Sequence, residues 1–461
     1  MAKAQINMTE GPILGKMIVF TIPVMLTGML QLLFNAADLV VVGQFVGPEA
    51  NAAVGCCGSL INLIVNLFMG LSVGAGVIAA QDIGARRYDE VLKLISTSMT
   101  VSIVGGVAVG VLGFFAARPL LVLMGTPDDV LVQAVPYMRA YFCGMPGCLM
   151  YNYLASILRS KGDTTHPLIF LTIAGVANVI LNVVMVAAFS LGAVGVGIAT
   201  AASQYIAAGL TVYHMLRKED LCRITGFRVY SGKFVRMLVI GLPSGLQGML
   251  FSLSNVLIQS TINGYGKVVM AGNANASNLD GFQYTAMNSV YHAALTFVGQ
   301  NVGAGTYKRI KRIMFDSAGL VTAIGIVIGA LLIGFGKPLL SLYSSGAEKD
   351  AVVQAGMNRL WILATTYFLC GLMDVGCGLL RGMGRVILPM IVSLLGSCVF
   401  RIIWIYTVCP LYPDNIAVLY ASYPISWFLT AGVHFICCVY FYRKLMKKCG
   451  QGQSASPASE L

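Results

Sequence analysis

Lys16–Asn35 reads KMIVFTIPVMLTGMLQLLFN, and Arg236–Asn255 reads RMLVIGLPSGLQGMLFSLSN. At a shift of 220 positions nine of these 20 pairs are identical, among them Pro23 and Pro243, Gly28 and Gly248, and Asn35 and Asn255. Two more stretches return at nearly the same distance. QDIGA at 81–85 comes back as QNVGA at 300–304, with Tyr88 and Tyr307 following, and Leu158, Arg159, Gly162 and Pro167 are echoed by Leu380, Arg381, Gly384 and Pro389. The chain is therefore two copies of one unit. A duplicated, strongly apolar chain of this length has the pattern of a secondary transporter built from internal repeats.

Composition excludes an ordinary soluble domain. Hydrophobic residues make up 57% of the 461 positions and charged residues 10%, against roughly 25% charged in soluble domains. The 52 glycines suit close helix packing in a membrane. The net charge of +12 lies in short inter-helix loops rather than on one face of a soluble module, which argues against a nucleic-acid partner. The start, MAKAQINMTEG, has no apolar core of a cleaved signal peptide, so the first span is expected to remain as an anchor. The twelve cysteines show no zinc or haem spacing and read as small packing residues.

Twelve apolar segments are long enough to cross a bilayer, at about 20 residues each. Their expected limits are 13–42, 52–80, 92–117, 130–156, 166–189, 193–216, 234–262, 268–299, 311–336, 351–379, 387–409 and 415–442. Pro23 and Pro243 should bend the first and seventh. With the N-terminus in the cytoplasm, 23 lysines and arginines fall inside and four outside, and Arg139, Arg359 and Arg401 lie within spans. That bias places both termini in the cytoplasm of a multi-pass protein of the inner (plasma) membrane. The expected fold is all-α: an integral membrane protein with twelve transmembrane helices in two pseudo-symmetric six-helix lobes. The lobes are expected at 1–216 and 234–445, with a basic linker at 217–233 and a disordered polar tail at 446–461.

Acidic residues inside spans are few, and each is costly there. Asp38 ends the first span, Asp280 lies in the eighth, and Asp374 is mid-way along the tenth. Asp374 has two readings: a counter-ion for a cationic substrate, or half of an intramembrane pair with Arg401. Asn178 and Asn182, at i and i+4 in the fifth span, share one helix face, as do Thr200 and Gln204 in the sixth. Such side chains also serve as glue between membrane helices. The sharper reading brings Asp38, Asn178, Asn182 and Thr200 together as an oxygen-rich coupling-ion site, where one carboxylate with neutral oxygens suits Na⁺, bound through Asp38, Asn178 and Thr200, and a buried carboxylate suits H⁺. Gln31, Phe34, Gln204 and Asp374 are the candidates for the substrate cavity. Arg159 and Arg381, at cytoplasmic span ends, read as interfacial anchors. No phosphate-binding G-x-x-x-x-G-K-[ST] loop occurs and no H-E-x-x-H, so neither direct ATP use nor a zinc hydrolase is indicated, and no paired catalytic constellation marks an enzyme.

MTEGPIL at 8–14, Asn35-x-x-Asp38 with Val42-Gly43, Gln81-x-x-Gly84-Ala85, LRSKGD at 158–163, Ala199-Thr200 with Ser203-Gln204, and LRGMG at 380–384, in this order and in two matching halves, resemble the multidrug and toxic compound extrusion (MATE) transporters. The resemblance covers residues 8–445. It implies two six-helix lobes around a central cleft with alternating access, and export of cationic amphipathic small molecules against H⁺ or Na⁺, without a cofactor. It also implies coupling at Asp38 with Asn178 and Thr200, and a helix bend at Pro23. Three positions depart from the family pattern. Asn182 stands where a second acid is common, Phe34 where an aromatic hydroxyl is common, and Phe251 and the neighbourhood of Gly371 where one branch has acids. The expected partners are the small-molecule substrate and the lipid bilayer, with the protein acting as a monomer. The rival readings are a flippase for a lipid-linked saccharide, which needs a cationic cavity, and a non-transporting receptor, which needs no buried acid.

Overall fold

The structure, a computed structural model, describes residues 6–217, 221–343, 348–413 and 415–450. Among these it is helical with no strand. In chain order the helices are α1 (Ile13–Phe45), α2 (Pro48–Gly84), α3 (Tyr88–Leu123), α4 (Asp128–Cys143), α5 (Met145–Lys161), α6 (Thr165–Val183) and α7 (Gly192–Arg217). The second copy continues with α8 (Ser231–Asn263), α9 (Lys267–Gly303), α10 (Lys308–Leu342), α11 (Lys349–Thr366), α12 (Phe368–Gly382), α13 (Ile387–Ser393), α14 (Phe400–Thr407) and α15 (Ile416–Gly450). π-Helical turns at Val184–Ala188 and Leu394–Val399 extend α6 and join α13 to α14.

These elements form the twelve expected spans, with two of them broken. Among the described residues nine spans are individually long and apolar enough to cross a membrane, and α11–α12 makes a tenth, bent by 44°. At that break the Thr365 and Thr366 hydroxyls donate back to the carbonyls of Trp361 and Ile362 (2.6 and 2.7 Å). The Gln283 amide donates to the Ala364 carbonyl at 3.1 Å. Back-bonding and an inserted side chain both bend helices. The α4–α5 span breaks at Gly144, where Pro146 in the first turn of α5 has no N–H to continue the ladder. α9 is long but carries Asn273, Asn275, Asn278 and Asp280 within two turns, which lowers its apolarity. The C-terminal helix carries on through residues 446–450, where RKLMKK (443–448) favours helix. The rest of the expected polar tail lies outside the described residues.

The chain packs as two units. One holds Met1–Ile6 and Leu26–Leu246, the other Asn7–Met25 and Gln247–Leu461. The expected division at the 217–233 linker is thus displaced into α1 and α8. Each switch falls within one turn after a proline, at 25/26 after Pro23 and at 246/247 after Pro243. Each proline leaves a carbonyl, Val19 or Val239, without its helical donor. Inside the first unit α5 packs on α2, α3 and α7, and α4 on α2, α3 and α7. Inside the second, α12 packs on α9, α10 and α15, and α11 on α9, α10 and α15. The two units therefore repeat one packing plan.

The recurring sequence fragments are helix terminators. Gly162 and Gly384 have positive φ (97° and 83°). Each closes the same double hydrogen bond: Gly162 N–H to Arg159 O with Asp163 N–H to Leu158 O (2.8 and 3.0 Å), and Gly384 N–H to Arg381 O with Arg385 N–H to Leu380 O (both 2.9 Å). This satisfies the last carbonyls of α5 and α12. The QDIGA and QNVGA fragments end α2 and α9 in the same way, through Arg86 at φ 55° and Gly305 at φ 71°.

Small residues let α2 and the first half of α8 touch backbone to backbone in the first unit. A Cβ on Gly70 would lie 2.0 Å from Gly245 N, and one on Gly245 would lie 2.1 Å from Leu67 O. Close approach of this kind replaces the hydrophobic drive that lipid cannot supply. The linker is pinned to α3, with Tyr230 N–H on the Thr97 hydroxyl at 3.1 Å. Lys233, opening α8, reaches Asp82 and Glu90 at 2.6 and 3.0 Å. The outer faces carry large exposed apolar side chains such as Leu112, Phe115, Phe428 and Ile436, as contact with lipid requires.

The second unit holds a buried charge pair. Asp280 Oδ2 accepts from Arg359 Nη2 and Nε at 2.9 and 3.1 Å. Arg359 also donates to Asn273, whose amide donates to Gln259 at 2.9 Å. Two predictions follow from this packing. Gly245→Val forces α2 and α8 apart and should cost about 1–3 kcal/mol, read as a lower melting temperature in detergent; an unchanged melting point contradicts the contact. Asp280→Asn leaves Arg359 buried and unbalanced and should destabilise by about 3 kcal/mol or more. In the same melting assay Asp280→Asn with Arg359→Met should recover part of that loss, and a double variant no better than Asp280→Asn alone contradicts the pairing.

Candidate functional site

Asp38 sits two turns from the end of α1, in the first unit, and α6 presents two amides to it. Asn178 and Asn182 are 4% and 0% exposed and lie one turn apart on one face. Asn182 Nδ2 donates to Asp38 Oδ1 in a short hydrogen bond and to Asn178 Oδ1 at 3.2 Å. Asn178 Nδ2 donates to the Thr200 hydroxyl of α7 at 3.5 Å. Thr200 also hydrogen-bonds Asp38. The carbonyl of Thr200 accepts from Ser203 Oγ at 2.8 Å. Directly after Asn182, α6 enters its π-helical turn, a distortion often found at functional sites.

The structure thus brings Asp38, Asn178, Asn182 and Thr200 into one hydrogen-bonded cluster. Among the described residues the charge of Asp38 is met by amide and hydroxyl groups alone, with no ion pair. Asn182 Oδ1 is buried and has no hydrogen-bond partner among them. A buried acceptor without a donor is costly. A carboxylate, two amide oxygens and a hydroxyl form a hard, oxygen-only donor set of the kind that binds small cations, and a proton on the carboxyl would supply a donor.

The expected cavity residues are more scattered. Phe34 lies over α6, so close to Gly175 that a Cβ there would come within 1.8 Å of the ring; it walls the cluster one turn before Asn178. Gln31 is exposed and Gln204 half-buried. Pro23 lies within an uninterrupted α1. Asp374 is in the second unit, half-buried, hydrogen-bonded by Asn288 and within the field of Arg381.

Arg401 does not pair with Asp374. It donates to Ser426 at 2.9 Å and stacks on Tyr423 and Trp427, with centroids 4.2 and 5.5 Å away. The π-helical turn at Leu394–Val399 precedes it and shifts the face on which it falls. Arg381 is not an interfacial anchor. It is buried, donating to Tyr291 at 2.6 Å and Gln247 at 2.8 Å, because two helical turns from Asp374 place both on one face of α12. Arg159 likewise turns inward to Tyr151. Phe251 packs among Leu363, Cys370, Met373 and Trp427.

Two residues were missed. Tyr137 and Tyr141 of α4 lie within electrostatic reach of Asp38, and their i, i+4 spacing in the fourth span was the available signal. The second copy does not repeat the site. At the shifts that align the repeats, Ile258 matches Asp38, Phe400 matches Asn178, and Trp404 matches Asn182. Ile258 lies in an apolar cluster with Ile262, Leu419 and Tyr420.

The sequence profile of the MatE family matches this chain twice, over residues 23–184 and 243–407, once in each repeat. A probable multidrug resistance protein, YpnP of Bacillus subtilis (strain 168), is 27% identical over 396 residues, 86% of this chain and 88% of its own length. The FAD transporter of Shewanella oneidensis is 23% identical over 332 residues, 70% of this chain and 73% of its own. The fold matches the outward-facing conformation of a multidrug resistance MATE family transporter of the MOP superfamily, with a TM-score of 0.89 at 20% identity, over 97% of this chain and 99% of that one. The chain belongs to the MatE family, the multidrug and toxic compound extrusion transporters that its sequence resembles.

Proposed function

We propose that this protein exports cationic amphipathic compounds across the inner membrane by antiport with H⁺ or Na⁺, and that the Asp38 cluster is where the coupling ion binds. The observation that carries this reading is the pairing of an acid with no cationic partner among the described residues and a buried Asn182 Oδ1 with no hydrogen-bond partner among them. An entering cation satisfies both, and a proton on Asp38 does so once the Asn182 amide turns its Oδ1 toward the carboxyl. The ion drives transport only if it binds the two access states unequally. α1 offers such a difference, since the proline-weakened segment at Pro23 lies on the helix that carries Asp38. The positive-inside bias supports cytoplasmic termini, and a self-contained twelve-helix unit supports a monomer.

A second reading rests on the buried arginines of the second unit. Arg381 Nε and Arg401 Nη2 have no hydrogen-bond partner among the described residues. Guanidinium groups with one N–H still unpaired suit an anionic amphiphile such as a lipid-linked saccharide.

Everted vesicles separate these readings. Asp38→Asn should cut efflux of fluorescent cations, under imposed Na⁺ or proton gradients, by tenfold or more. Undiminished efflux by the variant rejects coupling at Asp38, and transport of anionic but not cationic probes favours the second reading. Asn182→Ala removes one neutral oxygen. It should raise the ion concentration for half-maximal efflux about tenfold while leaving equilibrium binding of the fluorescent cation close to wild type, and an unaltered ion dependence would show that Asn182 is not a ligand.

A further inference from the structure

The four histidines are dispersed in the sequence, yet two of them meet beside a buried acid. Asp163 follows the Gly162 turn that ends α5 and is 4% exposed. His166 opens α6 and His214 lies in the last turn of α7. Asp163 Oδ2 is 2.7 Å from His166 Nδ1 and 3.9 Å from His214 Nε2. The imidazole centroids are 4.1 Å apart. One ligating atom from each of the three residues lies within 4.8 Å of the others.

We propose that Asp163, His166 and His214 form a binding site for a divalent transition-metal ion of the Zn²⁺ class, separate from the Asp38 cluster. Tetrahedral bonds of about 2.0 Å put ligating atoms about 3.3 Å apart. The 2.7 and 3.9 Å separations bracket that value, so an ion entering between them opens one and closes the other by about 0.6 Å.

The carboxylate is already oriented for this. Asp163 Oδ1 accepts the His166 backbone N–H at 3.2 Å, which leaves Oδ2 facing the imidazoles. Its backbone is held by the hydrogen bond to Leu158 O. Phe170 walls the site, with its centroid 6.0 Å from His166 and 5.3 Å from His214. The two histidine side chains are 25% and 13% exposed, so an ion has a way in from solvent. Two nitrogens and one oxygen suit Zn²⁺, Co²⁺ or Ni²⁺ rather than Mg²⁺ or Ca²⁺, which take oxygen ligands. Lys161 and the buried Cys222 share this neighbourhood. An ion held here ties the start of α6 to the end of α7 and should stiffen the first unit.

The test titrates the full chain, purified in detergent and stripped with a chelator, with Co²⁺ and then Zn²⁺. One Co²⁺ per chain is expected, with visible absorption of a tetrahedral nitrogen–oxygen site that Zn²⁺ abolishes. Zn²⁺, but not Mg²⁺, should raise the melting temperature, and His166→Gln and His214→Gln should each weaken binding tenfold or more. Absence of the Co²⁺ spectrum, a thiolate charge-transfer band, or unchanged binding in both variants would overturn the assignment. The unsubstituted protein gives an independent answer. Zn²⁺ should shield both His166 and His214 from diethylpyrocarbonate, read by mass spectrometry, and modification at the metal-free rate would overturn the site.

Discussion

One carboxylate governs this structure. Asp38 stands in a membrane-spanning helix, where a charge without a partner is costly, and among the described residues its neighbours answer it with neutral groups only. A structural acid in the same protein is treated differently: Asp280 faces Arg359 at 2.9 Å and is balanced permanently. Under the proposed coupling, Asp38 is balanced when a small cation or a proton binds. The cluster gathers α1, α6 and α7 around that deficit, so occupancy is felt by three helices at once. The Phe34 ring, packed on Gly175, walls the α6 side of the cluster.

Duplication supplied the scaffold, and divergence supplied the asymmetry. The helix terminators at Gly162 and Gly384, and the turns through Arg86 and Gly305, keep the same geometry in both copies because each satisfies the same backbone carbonyls. Side chains were not held to that rule. The positions matching Asp38, Asn178 and Asn182 became Ile258, Phe400 and Trp404, and Ile258 is now in an apolar cluster. The second unit instead accumulated buried arginines at Arg359, Arg381 and Arg401, each engaged by a different set of neighbours. The Asp38 cluster in the first unit and the buried arginines of the second are the side-chain differences left by this divergence.

Much of the fold was legible in the sequence because spans announce themselves by length and apolarity, and because the repeated fragments are turns with strict backbone needs. The Asp38 cluster was legible for a related reason: two amides at i and i+4 must share a helix face, and a lone intramembrane acid must find polar company. What was hidden depended on contacts between distant segments. Arg381 looks like a span-end anchor in one dimension but shares a face with Asp374. Arg401 lies beyond a π-helical turn that no local pattern signalled, so its pairing with Asp374 could not hold. The unit changes within α1 and α8 lie away from the linker, because they follow contacts between distant segments that a composition shift does not report. His166 and His214 are 48 residues apart and meet only because α6 and α7 pack side by side.

Equilibrium ion binding to the purified protein tests the central claim most directly, with ²²Na⁺ uptake and proton release measured together on wild type and Asp38→Asn. The account predicts that wild type binds one Na⁺ or exchanges one proton per chain at this site and that the variant loses that binding. Equal ion binding by wild type and variant would contradict it.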